Sequence, residues 1–427
     1  MSVAIALLGC GTVGTEVARL LTQQRDILSA RAGAELDLVG IAVSRLDAPR
    51  HPAIDRSLLT TDVDSLISRA DIVIELIGGI EPPRTWVTQA LRQGASVVTG
   101  NKALLAAHGP EIYELAKAHD VDVYYEAAVA GAVPVVYGLR ESLAGDTVTR
   151  IQGILNGTTN YILDEMTRKA LPFDQALAQA QSLGYAEADP SADVDGDDAA
   201  AKIAILASLA FHQRILRKDV TVQGIRSITS DDIAAAKELG YVIKLLATAD
   251  RDPRTQAIDV RVCPTLVAHD HPLAGVHGSY NTVIIDSLAA GRLMFSGLGA
   301  GGAPTASAVL SDVVAAAAKK VHGGRAPQEI IYGESDLISP QESRSAFCVR
   351  ICVTDTPGAL AEIARAFAHA GVSISSVRHD PDTRDGIVYI TVMTHVARVC
   401  DLQSALAHLD VDERIQRVLQ VMRVEEE

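Results

Sequence analysis

An apolar run of strand length, Val3 to Leu8, leads directly into Gly9-Cys-Gly11-Thr-Val-Gly14 and then into a helical pattern through Val17, Leu20 and Leu21. A GxGxxG run alone says little, but between a strand and a helix it dictates how the backbone must lie. Gly9 makes the tight turn, Gly11 lets a pyrophosphate approach backbone N–H groups, and Gly14 lets the helix pack on the strand. With Thr12 and Val13 completing the turn, these residues predict a dinucleotide site at the head of a Rossmann-type, doubly wound parallel sheet. The competing reading is a tight turn with no ligand.

The second strand, Leu36 to Val43, bears on which dinucleotide is bound. Where an NAD-selective site carries an acid for the ribose 2′-hydroxyl, this chain has Ser44 and Arg45. An acid there would repel a 2′-phosphate, whereas a guanidinium would bind it through a charge-assisted contact. NADP(H) is therefore preferred, with NAD(H) possible; Arg45 as a solvated loop residue is the alternative. Three more short apolar strands follow, Asp71–Ile77, Ala95–Thr99 and Val121–Tyr125, separated by helical patterns. Such sheets bind ligands at the carboxyl ends of their strands, which marks Gly78-Gly79, Gly100-Asn101-Lys102 and Glu126 to Pro134 as cleft-lining. Lys102 reads either as a partner for phosphate or substrate carboxylate or as a solvated lysine opening a helix.

At 427 residues and 48% apolar content, the chain can bury two or three cores. A net charge of −15 without any basic run argues against a nucleic-acid partner. No apolar stretch has the length of a membrane span, and Met1-Ser-Val leads into the first strand without a charged leader, so a cytoplasmic location is expected. The five cysteines (Cys10, Cys263, Cys348, Cys352 and Cys400) show no CxxC spacing for zinc or redox chemistry.

The segment Glu187 to Lys202 concentrates six carboxylates and a single lysine. Asp198 and Lys202 stand four apart at the head of an apolar run (Ile203, Ile205, Leu206, Leu209), which puts them on one helix face. A lysine among acids but against an apolar wall feels opposed pushes on its proton affinity, as catalytic lysines often do. The plain alternative is an acidic helix start with an ordinary ion pair. Calcium does not fit: in a loop begun at Asp193, the sixth position is Asp198 rather than Gly and the twelfth is Ala204 rather than Glu.

These patterns divide the chain into a nucleotide-binding domain over 1–133, completed by a helix at 303–322, and an α+β domain for substrate and dimerisation over 134–302. A linker is expected over 323–345 and a last module over 346–427. The α+β domain holds Ile154-Leu-Asn-Gly-Thr-Thr-Asn160, a polar turn suited to a small ligand or to helix capping, and the glycine-rich 297–302. The last module reads β-α-β-β-α-β, a ferredoxin-like unit with its own grammar and no acid–base constellation.

The chain resembles homoserine dehydrogenase of the bacterial type with a C-terminal ACT domain. The motifs are the nucleotide turn, Gly100-Asn-Lys102, Glu126-Ala-Ala-Val-Ala-Gly131, Asn156-Gly-Thr-Thr-Asn160, Leu183-Gly-Tyr-Ala-Glu-Ala-Asp189 and Asp193 to Lys202. The resemblance implies reduction of L-aspartate-4-semialdehyde to L-homoserine with NAD(P)H, on the route to threonine, methionine and isoleucine. It implies Lys202 as proton donor, Asp198 as substrate-binding acid, Glu187 as holder of the substrate ammonium and Asp193 as a supporting carboxylate. Lys102 would reach cofactor and substrate, and Gly184 and Gly302 would contact the nicotinamide end. Glu126, Val129, Gly131 and Val133 would form a sodium site. Asp355 and Gly358 would lie at an effector site, with threonine the expected effector, in a homodimer or homotetramer. Two other classes share some of these features: another NADP-dependent semialdehyde dehydrogenase, which would lack the Glu187–Lys202 segment, and a non-catalytic nucleotide sensor with an ACT output.

Overall fold

The computed structural model describes residues 2–327, 333–334, 336–384 and 387–425, with the side chains of 380–384 outside that description. Part of the expected linker, 328–332 and 335, lies outside the described residues. The first sheet takes β1 (Ser2–Leu8), β2 (Glu35–Ala42), β3 (Leu59–Thr60), β4 (Ile72–Glu75), β5 (Ser96–Thr99) and β6 (Val123–Tyr124), all parallel, in the order β3-β2-β1-β4-β5-β6. Between the strands run α1 (Thr12–Gln23), α2 (Arg25–Ala32), α3 (Val63–Ile67), α4 (Pro83–Arg92) and α5 (Lys102–Ala118). The chain order reverses between β1 and β4, so the switch-point crevice opens directly above Gly9.

Gly14 shows why the turn tolerates no side chain there: a Cβ would lie 2.1 Å from the Gly9 carbonyl oxygen. A later helix completes this domain's core. Val309, Val313 and Ala317 pack with Ile5, Val17 and Ala18, although about 300 residues separate them.

The middle of the chain supplies α6 (Val135–Tyr137), β7 (Val148–Ile154), α7 (Gly157–Lys169), α8 (Phe173–Ser182), α9 (Ser191–Val194) and α10 (Asp197–Phe211). After two short strands, β8 (Gln213–Arg214) and β9 (Thr221–Val222), come α11 (Ser230–Glu238), β10 (Tyr241–Arg251), β11 (Ile258–Ala268), β12 (Tyr280–Ser287) and β13 (Gly291–Leu298). The completing helix is α12 (Gly302–His322). It starts one residue before the expected 303, with Gly302 in its first turn.

The C-terminal module follows β14 (Gly333–Glu334). It comprises β15 (Arg344–Thr354), α13 (Ala359–His369), β16 (Ile374–Arg384), β17 (Ile387–Thr394), β18 (Ala397–Arg398), α14 (Val399–Leu409) and β19 (Ile415–Glu425). Its main strands lie in the order β19-β15-β17-β16, the ferredoxin-like arrangement. The module has its own core yet also joins the middle of the chain. β19 pairs in parallel with β11 through Thr265↔Arg423, Leu266↔Val424 and Val267↔Glu425, giving one sheet of eleven strands in path order β13-β12-β7-β10-β11-β19-β15-β17-β16. Cys348, Met393, Met422 and Val424 are buried in the same core as the middle of the chain. The last three residues of β19, Arg423 to Glu425, cover an edge that β11 would otherwise leave open.

A buried charge cluster seals this join. Arg261 Nη1 lies 2.8 Å from Asp250 Oδ2 and 2.6 Å from Asp259 Oδ2. Ser343 Oγ donates to Asp259 Oδ2 at 2.6 Å and accepts from Arg423 Nη2 at 3.0 Å. Burial alone would weaken the Arg261 charge, but the two carboxylates outweigh it and hold the guanidinium pKa above its usual value. Among the described residues no helix is long and apolar enough to cross a membrane.

Removing this arginine leaves the buried Asp259 carboxylate without its cation, a loss of about 3–5 kcal/mol for such pairs. Arg261→Ala should lower stability by that order in denaturant titrations and speed amide exchange along β11 and β19 together. Exchange that rises in only one of the two strands would show that the join does not depend on Arg261.

Candidate active site

Three turns meet at the carboxyl ends of the first sheet. Gly9 has φ +101°, and a Cβ there would press within 2.9 Å of the Leu76 carbonyl oxygen, so the nucleotide turn abuts the turn after β4. Gly11 and Thr12 are exposed and Val13 is half-buried. No atom lies within 4 Å of where a Gly11 Cβ would stand, which leaves room for a phosphate over the start of α1. Gly302 packs over the same turn, its Cβ position 3.3 Å from Thr12 Cγ2 and 3.1 Å from Glu16 Cγ.

The residue organising these turns is Glu75, which sequence reading passed over because it sits inside an apolar strand. It is wholly buried. Its Oε1 accepts from the backbone N–H of Ile77 (2.8 Å) and Gly78 (3.1 Å), and its Oε2 accepts from Thr99 Oγ1 (2.7 Å). Thr99 Oγ1 accepts in turn from Asn101 N–H. Asn101 Nδ2 donates to Gly79 O at 2.7 Å, while its Oδ1 caps α5 at Leu104 N–H. One buried carboxylate thus fixes both the 77–79 turn and the helix start that carries Lys102.

Arg45 is exposed just beyond β2, with no acid beside it at that strand end. Its carbonyl accepts from Arg50 Nη2 at 3.2 Å, and Arg50 Nη1 donates to the Cys10 carbonyl at 2.9 Å, so a second guanidinium ties the Arg45 loop to the nucleotide turn.

Asp198 is the centre of the polar cluster. It is 7% exposed, in the first turn of α10. Its Oδ2 lies 2.7 Å from Lys202 Nζ, one helical turn on, as the spacing required. Lys102 Nζ reaches across from α5 to hydrogen-bond Oδ1. Burial acts to raise the Asp198 carboxyl, but Lys202 and Lys102 more than offset it and hold its pKa well below the usual carboxylate range. Lys202 is also buried and donates to the Leu155 carbonyl at 2.8 Å.

Asn156 joins the second carboxylate to this group. Its Oδ1 caps α7, accepting from Thr159 N–H, and its Nδ2 donates to Asp193 Oδ1 at 2.6 Å and Asp198 Oδ2 at 2.9 Å. Capping and a polar-ligand role were alternatives from the sequence; the side chain caps with one end and faces the carboxylates with the other. Burial raises the Asp193 carboxyl, and the Asn156 hydrogen bond works against that. The Lys202 amine is thus fixed beside a carboxylate whose pKa is held low.

Other expected residues are not drawn into this cluster. Glu187 and Gly184 lie exposed on the loop after α8, Gly184 with φ +76°. The Glu187 side chain makes no hydrogen bond or ion pair among the described residues, while its carbonyl accepts from Gln181. Thr158 Oγ1 ties this loop to α7 through the Tyr185 carbonyl at 2.6 Å. Asp355 and Gly358 are exposed at the turn opening α13; Gly358 has φ +96° and faces Arg414, which is paired with Asp412 and Glu362.

Glu126 is buried below the cleft, its carboxylate accepting from Val136 N–H (3.0 Å) and Tyr137 N–H (2.7 Å). Its own N–H donates to Asp312 Oδ2 of α12. Burial pushes Glu126 up to about 7 and Asp312, further raised by Glu126, to about 8. Among the described residues no cluster of three or more Asp, Glu, His or Cys could hold a metal ion. Among the described residues the carbonyls of Val129 and Gly131 accept no backbone hydrogen bond, whereas that of Val133 accepts from Val135 N–H. An oxygen-seeking monovalent cation fits this donor set; a transition metal does not.

Comparison with known proteins agrees with this architecture. Residues 9–126 match the family model for the homoserine dehydrogenase NAD-binding domain, residues 134–314 that for homoserine dehydrogenase, and residues 349–412 that for the ACT domain. The chain is 49% identical to homoserine dehydrogenase of Corynebacterium glutamicum, with 99% of this chain and 96% of the relative covered. It is 46% identical to that of Mycobacterium tuberculosis, with 99% and 98% covered. The crystal structure of a homoserine dehydrogenase from Thiobacillus denitrificans superposes with a TM-score of 0.93 at 37% identity, over 100% of this chain and 99% of that one. A hyperthermophilic archaeal homoserine dehydrogenase in complex with NADPH gives a TM-score of 0.64 at 26% identity, over 76% and 100%. With the whole chain matched, its Rossmann-like sheet, its mixed sheet and its ACT module in place, the protein belongs to the homoserine dehydrogenase family, NAD(P)-dependent oxidoreductases acting on CH–OH groups.

Proposed function

We propose that the protein reduces L-aspartate-4-semialdehyde to L-homoserine with NADPH, and that Lys202, Asp198, Asn156 and Lys102 form the working site. The observation that carries this reading is the convergence of two lysines and an amide on the single buried carboxylate of Asp198. The bound nicotinamide would supply a hydride to the aldehyde carbon. The aldehyde oxygen then gains negative charge, and the Lys202 ammonium donates the proton that completes the alcohol. Asp198 keeps that ammonium charged and aimed, and it offers an acceptor to the substrate. Asp193, held through Asn156, fixes the angle of Asp198. Glu187, on the exposed loop above α7, would take the substrate ammonium once the loop settles, and Gly184 on the same loop would approach the nicotinamide together with Gly302.

For the cofactor, Gly9, Gly11, Thr12, Val13 and Gly14 would hold the pyrophosphate and Arg45 the 2′-phosphate, in keeping with the archaeal relative's NADPH. A sodium ion would be held by carbonyl oxygens of Val129, Gly131 and Val133 beside Glu126, where it would steady the turn under the cleft. The same reading gives a cytoplasmic homodimer or homotetramer on the route to threonine, methionine and isoleucine. It has threonine acting back through the turn at Asp355 and Gly358.

Steady oxidation of NADPH by the semialdehyde tests the activity directly. Lys202→Ala should lower kcat by about two to four orders of magnitude while the NADPH Kd stays within about threefold, because the loss is confined to the transition state. A kcat within tenfold of the parent removes Lys202 as the donor. Asn156→Ala should raise KM for the semialdehyde and lower kcat by about tenfold or more; the lost helix cap should also reduce stability by about 1 kcal/mol.

Arg45→Glu sets a carboxylate against the 2′-phosphate, so the kcat/KM preference for NADPH over NADH should fall about tenfold or more. An unchanged ratio means that Arg45 does not reach the ribose.

A further inference from the structure

Asn281 of β12 is wholly buried and stands just beyond the Thr282–Ile154 end of the β7–β12 pairing. Its Nδ2 donates to the Leu155 carbonyl at 3.0 Å. Lys202 Nζ donates to the same oxygen at 2.8 Å, so one carbonyl, with two lone pairs to offer, takes both the amine and the amide. Facing a carbonyl, the amide must present its NH₂ end, which turns Oδ1 away. That oxygen is shut off from solvent and accepts no hydrogen bond among the described residues.

As packing alone this arrangement is unfavourable. A buried acceptor without a donor weakens a fold, and an apolar side chain of similar size would fill the space without one. Nor does the Leu155 carbonyl need the amide, because Lys202 already gives it a donor. What the amide adds is direction. Asp198 Oδ2 and Leu155 O take two of the three N–H bonds that a protonated Lys202 carries, so the third points where those two oxygens allow. Lys102 and Asn156 hold Asp198 in place, and Asn281 holds the Leu155 oxygen. The amide is itself clamped: a Cβ at Gly299 would fall on it, so it lies flat against the loop between β13 and α12, the loop that leads into Gly302.

We propose that Asn281 is a positioning residue for the proton transfer. It fixes the Leu155 carbonyl, and through that oxygen it aims the free N–H of Lys202 at the aldehyde oxygen of the substrate. Because the loop that clamps the amide also carries Gly302, the direction of the proton is set against the side from which the hydride would come. The proposal rests on Lys202 being the proton donor.

The test compares the full-length parent, Lys202→Ala, Asn281→Ala and the double variant, by NADPH oxidation at saturating semialdehyde and by fluorescence titration of NADPH. Asn281→Ala should lower kcat about tenfold or more and leave the NADPH Kd within about threefold. In the Lys202→Ala background the same change should cost no more than about twofold, because its effect passes through the amine already removed. A kcat for Asn281→Ala within about threefold of the parent, or the full loss again in the double variant, overturns the proposal. A Lys202→Ala kcat within about tenfold of the parent overturns the donor assignment, and the proposal with it. Asn281→Leu keeps the volume, removes both polar ends and carries the same comparison where the alanine variant does not fold. Its kcat should fall by the same order while its melting temperature stays within a few degrees of the parent's, since the unpaired oxygen is lost as well. A lowered melting temperature with kcat intact would mark the amide as purely structural and overturns the proposal.

Discussion

A buried carboxylate is unfavourable unless cations or strong donors surround it, and the arrangement of this protein follows from how Asp198 meets that requirement. Its partners come from three parts of the fold. Lys202 comes from its own helix, Asn156 from the turn between β7 and α7, and Lys102 from the start of α5 in the nucleotide-binding sheet. Those partners offset the cost of burying the charge, and the same contacts fix the Lys202 amine beside it. Glu75 does the corresponding work without a cation, since two amides and a hydroxyl fill its oxygens. Its task is to keep the Lys102 end of this arrangement in place.

The ACT module is attached by a second set of buried charges. The parallel pairing of β19 with β11 covers an edge, and Arg261, Asp250, Asp259, Ser343 and Arg423 make the join specific. β11 and β10 are antiparallel neighbours along their full length, and β10 pairs with β7, whose end opens into Leu155 and Asn156. A shift at the module has a continuous hydrogen-bonded path of three strands to the residues that hold Lys202 and Asp198. The path shows which strands would have to slide for such a shift to be passed on.

Local physics explains which of these features the sequence displays. The GxGxxG turn is legible because strand, glycines and helix are contiguous, and the Asp198–Lys202 pair is legible because helical spacing alone brings the two together. The ferredoxin-like order of the last module follows from its alternation of periods, and it is what the structure contains. Contacts between distant residues leave no such mark. Lys102 and Asp198 are 96 residues apart, and Glu75 reads as part of an apolar strand until Thr99 and the 77–78 amides are seen around it. β3 is two residues long, too short to show a period. The join of β19 to β11 leaves no mark in the sequence because it takes only three residue pairs between distant strands, and Arg261 with its acids reads as ordinary strand polarity.

The two lysines on Asp198 are not equivalent, and the difference indicates how a ligand enters. Lys202 has 11% of its side chain exposed and a second acceptor in the Leu155 carbonyl, so moving it breaks two hydrogen bonds inside the core. Lys102 has 42% of its side chain exposed and, among the described residues, Asp198 as the only partner of that side chain. A substrate hydroxyl or ammonium competing for Asp198 Oδ1 would displace Lys102 and leave Lys202 in position. The released ammonium stays tethered to the first turn of α5, beside the 77–79 turn that Asn101 holds, where an anionic ligand group is the natural replacement partner. Exchange of one carboxylate for another at Lys102 would connect filling of the cleft to the freeing of Asp198 Oδ1, with Lys202 held in place by its two hydrogen bonds.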